Sequence, residues 1–104
     1  MLFKPSELTP LMGQRLVEAL LAGGLPPGAI ALVQGDGAAG AAVAADDRVA
    51  AVTFTGSTPT GRAIMSAASD TLKKVFLELG GKSAAIVLDD ADFNTAALFS
   101  AFSM

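Results

Sequence analysis

Glu78 is the residue in this chain whose setting best suits proton transfer. It follows the apolar run Val75-Phe76-Leu77, and Leu79 alone separates it from Gly80-Gly81. A carboxylate at the end of a buried strand is partly withdrawn from water, which suits a general base. The plainer alternative is a structural carboxylate paired with Lys73, Lys74 or Lys82. The 104 residues include no Cys and no His. Thiolate nucleophiles, disulfides and Cys-ligated metals are therefore excluded within the chain, as are the commonest general base and transition-metal ligand. Chemistry is left to carboxylates, Lys, hydroxyls and backbone amides.

Three glycine-rich strings are candidates for holding phosphate. Gly35-x-Gly37-x-x-Gly40 has the spacing of the dinucleotide fingerprint and stands between a strand-like and a helix-like run. That fingerprint expects an acidic residue about 20 positions on, where Thr53-Phe54-Thr55 stands instead. An Ala/Gly-rich turn explains the string equally well. In Phe54-Thr55-Gly56-Ser57-Thr58-Pro59 a strand ends in glycine and a hydroxyl residue opens a helix. Ser57 can cap that helix or offer its hydroxyl to a phosphate, and one oxygen serves both uses. Gly80-Gly81-Lys82-Ser83 has the end of a P-loop, but Phe76 occupies the position where its first glycine must stand. A P-loop is excluded.

The elements that must position these strings follow from punctuation and periodicity. Lys4-Pro5-Ser6-Glu7 is polar loop. Thr9 reads as an N-cap with Pro10 at the first helical position, and the helix runs to Ala22, stopped by Gly23-Gly24. Its broad apolar face comprises Leu11, Met12, Leu16, Val17, Leu20 and Leu21. Residues 29–34 read as a short strand and 41–45 as a short helix. Residues 49–55 read as a second strand and 59–68 as a helix, with Ile64, Ala67 and Ala68 inward and Arg62 and Ser66 outward. Residues 73–79 and 84–88 read as third and fourth strands. A last helix starts near Phe93 behind the acids Asp89, Asp90 and Asp92 and carries Ala97, Leu98, Ala101 and Phe102. Short apolar strands alternating with helices predict an α/β fold with a mainly parallel sheet.

Composition bounds the rest. The net charge of −3 excludes a nucleic-acid partner of the usual basic kind. No apolar run is long enough to span a bilayer. Met1-Leu2-Phe3-Lys4-Pro5 lacks the form of a signal peptide, so a cytoplasmic location is expected by default. The chain is 52% hydrophobic and 16% charged, with a mean hydropathy of +0.55. So small a domain cannot bury that much apolar surface alone. The surplus implies packing against more of the same chain or a second subunit; an insoluble product is the duller reading.

Four collinear segments resemble the aldehyde dehydrogenase superfamily. They are Lys4-Pro5-Ser6-Glu7-Leu8-Thr9-Pro10, then Gly24-Leu25-Pro26-Pro27-Gly28 with Gly35-x-Gly37, then Phe54-Thr55-Gly56-Ser57-Thr58-x-x-Gly61-Arg62, and last Glu78-Leu79-Gly80-Gly81-Lys82-Ser83 trailed by Asp90-Ala91-Asp92. The resemblance implies a Rossmann-like, mainly parallel sheet with flanking helices, truncated at both ends, so that 1–104 is a partial NAD(P)-binding domain. It implies NAD as coenzyme, with NADP possible. Lys4 and Glu7 would hold the adenosine ribose, although composition alone makes both solvated loop charges. Gly37 would border the adenine region, with Thr60 beside the adenine. Gly56 and Ser57 would meet the pyrophosphate, and Leu79 would be a further coenzyme contact. Glu78 would activate water to cleave a thioester formed on a Cys outside this chain. The implied parent oxidises a small aldehyde and is a homo-oligomer. No metal is needed, and Asp89, Asp90 and Asp92 read as helix-start acids. The rival readings are a free-standing nucleotide-binding module and a non-functional truncation.

Overall fold

The computed structural model describes residues 1–81 and 84–102. Two βαβ units follow one another. The first is β1 (Leu2–Phe3), α1 (Pro10–Ala22) and β2 (Ala31–Leu32). Helix α2 (Gly37–Ala45) leads to the second unit: β3 (Ala51–Gly56), α3 (Thr58–Ser69) and β4 (Lys74–Leu79). Helix α4 (Phe93–Phe102) comes last.

Both strand pairings are parallel, as an α/β crossover fold requires, and they form two separate ladders among the described residues. The first pairs Leu2 with Ala31 and Phe3 with Leu32. The second runs six residues, from Ala51 opposite Lys74 to Gly56 opposite Leu79. Its alternation is sharp. Val52, Phe54, Val75 and Leu77 are half-buried beneath α3, whereas Thr53, Thr55, Phe76 and Glu78 stand exposed on the other face.

Several sequence expectations need correction. The strand expected over 29–34 is confined to Ala31–Leu32, and its partner, Leu2–Phe3, was not expected at all. Two residues leave no periodicity to read. Helix α2 starts at Gly37, not 41, because the Asp36 carboxylate accepts from the amides of Ala38 (2.9 Å) and Ala39 (3.4 Å). Residues 84–88 form no strand: their apolar side chains are exposed and no ladder partner meets them. On α1, Val17 and Gly13 alone are buried, while Leu11, Met12 and Leu16 stay exposed. On α4 the half-buried positions are Ala96 and Ser100, beside the segment from Ala85 to Leu88, while Ala97, Leu98, Ala101 and Phe102 are exposed. Thr9 precedes α1 as expected, but its side chain makes no capping bond. On α3 the expected inner face holds: Ala68 is buried, and Ile64 and Ala67 are half-buried.

The chain is open for its size. Its radius of gyration is 18.0 Å, against about 13 Å for a compact domain of this length. Its 10.4 kDa expose 8110 Å², where a folded monomer of that mass exposes about 5,400 Å². Among the described residues, the buried apolar positions include Val17, Ile30, Ala44 and Ala68. Among the described residues, no helix is long and apolar enough to cross a membrane.

Candidate functional site

The candidate residues gather in two places. The first is the loop after β1. The Lys4 stem lies against the first turn of α2, where a Cβ on Gly40 would meet Lys4 Cε at 3.3 Å. Its ammonium donates to the carbonyls of Pro5 (2.8 Å) and Gly35 (2.9 Å) and stands 3.7 Å from Glu7 Oε2. Lys4 is thus tied into the fold rather than solvated, while Glu7 projects into water. Pro5 is buried against α1 at Gly13, where a Cβ would come within 2.4 Å of the ring. Gln34 Nε2 donates to the Pro10 carbonyl at 2.9 Å, tying the end of β2 to the start of α1. Sequence reasoning passed over Gln34 and Gly13; a small residue facing a proline-marked loop was the available signal.

Gly37 opens α2 near this loop, and the helix N-terminus there is already occupied. Asp36 supplies both the hydrogen-bond acceptor and the negative charge that a phosphate would bring. The fingerprint spacing is therefore a capped turn. A Cβ at Gly35 would lie 2.5 Å from that of Ala39, which explains the first glycine without a ligand.

The second place is the carboxyl edge of β3 and β4, where ligands bind in open parallel sheets. Register puts Gly56 opposite Leu79 and Thr55 opposite Glu78. Segments that lie more than twenty residues apart in sequence become neighbours. Ser57 caps α3, but its bond from the Thr60 amide is long, at 3.4 Å. Its shorter partner is the Thr60 hydroxyl, at 2.9 Å. This neutral hydroxyl pair leaves the positive end of α3 without a carboxylate. Gly61 is buried beneath Leu79, whose methyls a Cβ would meet at 2.8 and 3.0 Å. An open depression of about 410 Å³ runs along this edge, lined by Thr58 and by Leu77 through Gly81.

Glu78 lies on this rim, on the sheet face opposite α3, and is exposed. The burial expected for it is not supplied by the described residues. Nor does Lys73 pair with it: that ammonium donates to the carbonyls of Ala44 (2.9 Å) and Asp46 (2.8 Å). No ion pair reaches Glu78 among the described residues, and Lys82 lies outside them. Asp92 behaves as a helix-start acid. Its carboxylate accepts from the Thr95 amide at 2.8 Å, and Thr95's hydrogen bonds hold its pKa below the usual value.

Parallel strands ending beside a hydroxyl-capped helix, with a carboxylate on the rim, are the geometry of a parallel α/β crossover domain. The sequence model of the aldehyde dehydrogenase family matches residues 1–104. The chain belongs to that family. It is 55% identical over 96 residues to a betaine aldehyde dehydrogenase of Cereibacter sphaeroides, covering 92% of this chain and 20% of that one. Among solved structures, PnpE in complex with nicotinamide adenine dinucleotide superposes with a TM-score of 0.81 at 45% identity. That match covers 97% of this chain and 21% of PnpE. A putative aldehyde dehydrogenase from Burkholderia cenocepacia matches with a TM-score of 0.81 at 46% identity. The chain spans about a fifth of the length of the curated relatives it matches.

Proposed function

We propose that residues 1–104 supply the adenosine and pyrophosphate contacts, and the general base, of an enzyme that oxidises an aldehyde to a carboxylate with NAD+. One observation carries this reading: the β3–β4 register sets Gly56 beside Leu79 and Thr55 beside Glu78 at a shared carboxyl edge. The residues present fit a dinucleotide. Gly56 and Ser57 offer backbone approach and a neutral hydroxyl at a helix N-terminus, which suits a pyrophosphate. Glu7, held near Lys4, offers an acceptor to ribose hydroxyls and repels a 2′-phosphate, so NAD+ is the preferred coenzyme and NADP+ the secondary one. Gly37 and Thr60 border the adenine, and Leu79 lends an apolar contact. The bound nicotinamide supplies the hydride acceptor.

The nucleophile is a Cys outside these residues, since the chain holds none. Glu78 takes a proton from the water that cleaves the resulting thioester, releasing carboxylate and thiol. The full protein works as a cytoplasmic homo-oligomer, and the exposed apolar faces of α1 and α4 give it surface to bury.

The test uses this chain in exchange for the matching fifth of the Cereibacter sphaeroides enzyme. In that graft Glu78→Gln is expected to keep NAD+ binding and slow turnover roughly 10²–10⁴-fold, the worth of a positioned general base. Steady-state turnover close to that of the unsubstituted graft removes Glu78 from the role.

A further inference from the structure

Among the described residues, Lys73 is the charged residue that is buried. It is 9% exposed, and its ammonium reaches the main chain 29 and 27 residues away. The two acceptors, the carbonyls of Ala44 and Asp46, lie at the C-terminus of α2, where helical carbonyls lack partners and the dipole is negative. Burying an ammonium is costly unless such bonds offset it. Its charge also reaches the Asp46 carboxyl, whose pKa is held low first by hydrogen bonds from Arg48 and, to a lesser extent, by Lys73.

The helix it closes has little else to hold it. The sequence of α2 is Gly-Ala-Ala-Gly-Ala-Ala-Val-Ala-Ala, with only Ala44 buried. Helices owe most of their stability in proteins to a packed apolar face, and side chains this small give α2 a weak one. Its packing partner is α3. At its other end, α2 forms the wall of the Lys4 loop: Lys4 lies on Gly40 and bonds to Gly35. Lys73 itself immediately precedes β4, the strand that ends in Glu78 and Leu79.

We propose that Lys73 is a positioning residue: it clamps the C-terminus of α2 to the root of β4, fixing the Lys4–Glu7 loop relative to the Gly56–Leu79 edge. The inference rests on the coenzyme reading above, because it concerns the spacing of the two halves of that site. Lys73 touches neither coenzyme nor substrate. Its effect is on how well one dinucleotide meets both clusters at once.

The graft described above serves as the test, with Lys73→Met and Lys73→Arg. Lys73→Met is expected to raise KM for NAD+ roughly tenfold, about the worth of one charge-assisted hydrogen bond. At saturating NAD+, kcat should change by less than about twofold, because the chemical step keeps its groups. Amide exchange should quicken across α2 and stay unchanged in β3 and β4. Lys73→Arg keeps the charge but not the point-like ammonium, so its KM should rise by a smaller factor. An unchanged KM and unchanged α2 exchange in Lys73→Met overturns the proposal, as does an equal loss of protection throughout the fold. Should the Met variant not fold, the Arg variant decides: a raised KM with kcat kept supports the clamp, and an unchanged KM overturns it. Failure of the unsubstituted graft to bind NAD+ counts instead against the coenzyme reading, and α2 exchange in Lys73→Met then decides the clamp.

Discussion

The turns entering α2 and α3 carry similar sequence chemistry and end as different sites. Each has a strand, a glycine, a capping residue and a helix. At α2 the cap is Asp36, and its carboxylate takes two first-turn amides. At α3 the cap is Ser57, whose neutral hydroxyl is bonded to that of Thr60. A carboxylate already there excludes a second anion by charge and by occupancy; a hydroxyl does neither. Glycine spacing alone pointed to α2, whereas the charge of the cap points to α3.

A swap of caps breaks the comparison most directly. In the graft, Ser57→Asp puts a carboxylate where the pyrophosphate is proposed to sit, and KM for NAD+ should rise roughly tenfold to a hundredfold. Asp36→Ser should leave KM nearly unchanged. Equal effects from the two substitutions in steady-state kinetics would show that the pyrophosphate does not favour the Ser57 turn over the Asp36 turn.

A smaller effect is expected at Glu7, which separates the adenosine loop from the pyrophosphate turn. Glu7→Gln removes a charge that repels a 2′-phosphate, so the ratio of kcat/KM for NAD+ over NADP+ should fall several-fold, by roughly the worth of one exposed charge contact. An unchanged ratio takes coenzyme choice away from Glu7.

The smallest effect lies in the joint between α2 and β3. Hydrogen bonds from Arg48 hold the Asp46 carboxyl well below the usual carboxylate range. A depressed folded pKa contributes stability above the unfolded value of 3.8 and loses it as pH falls further. Arg48 is exposed and Asp46 only half-buried, so Arg48→Ala should bring the Asp46 titration, followed by NMR, back toward 3.8 with little change in melting temperature. A titration that stays low in that variant assigns the shift to the residue 48 main-chain amide, which the substitution keeps, or to Lys73.

Much of this is legible in the sequence. Pro10 and Gly23 bracket α1 where the helix runs, and Ser57 opens α3 as read. Those bounds depend on local chemistry, namely a missing N–H, a hydroxyl cap or a glycine stop. The pairing of Glu78 with the coenzyme turn was available only through family resemblance, because register is a long-range property. What failed depended on neighbours. Residues 84–88 have the composition of a strand but meet no partner strand, and the stripe on α1 is apolar without being covered. By sequence Lys73 is a possible partner for Glu78, yet its stem runs back under α2. No local pattern reveals a contact across 29 residues.

Helix α3 and the strands beside it also match in length. Twelve helical residues span about 18 Å, and each six-residue strand spans about 20 Å. The helix therefore carries the chain back along the sheet by nearly one strand length, so β4 starts level with β3. One residue inserted within α3 would turn everything beyond it by about 100°. An insertion ahead of Gly61 would carry that glycine away from Leu79, and one behind it would turn Ala68 out of its buried place. Length variation in this unit is therefore confined to residues 70–72 and to whatever follows Leu79, and the span from Ala51 to Ser69 is fixed in residue count as well as in kind.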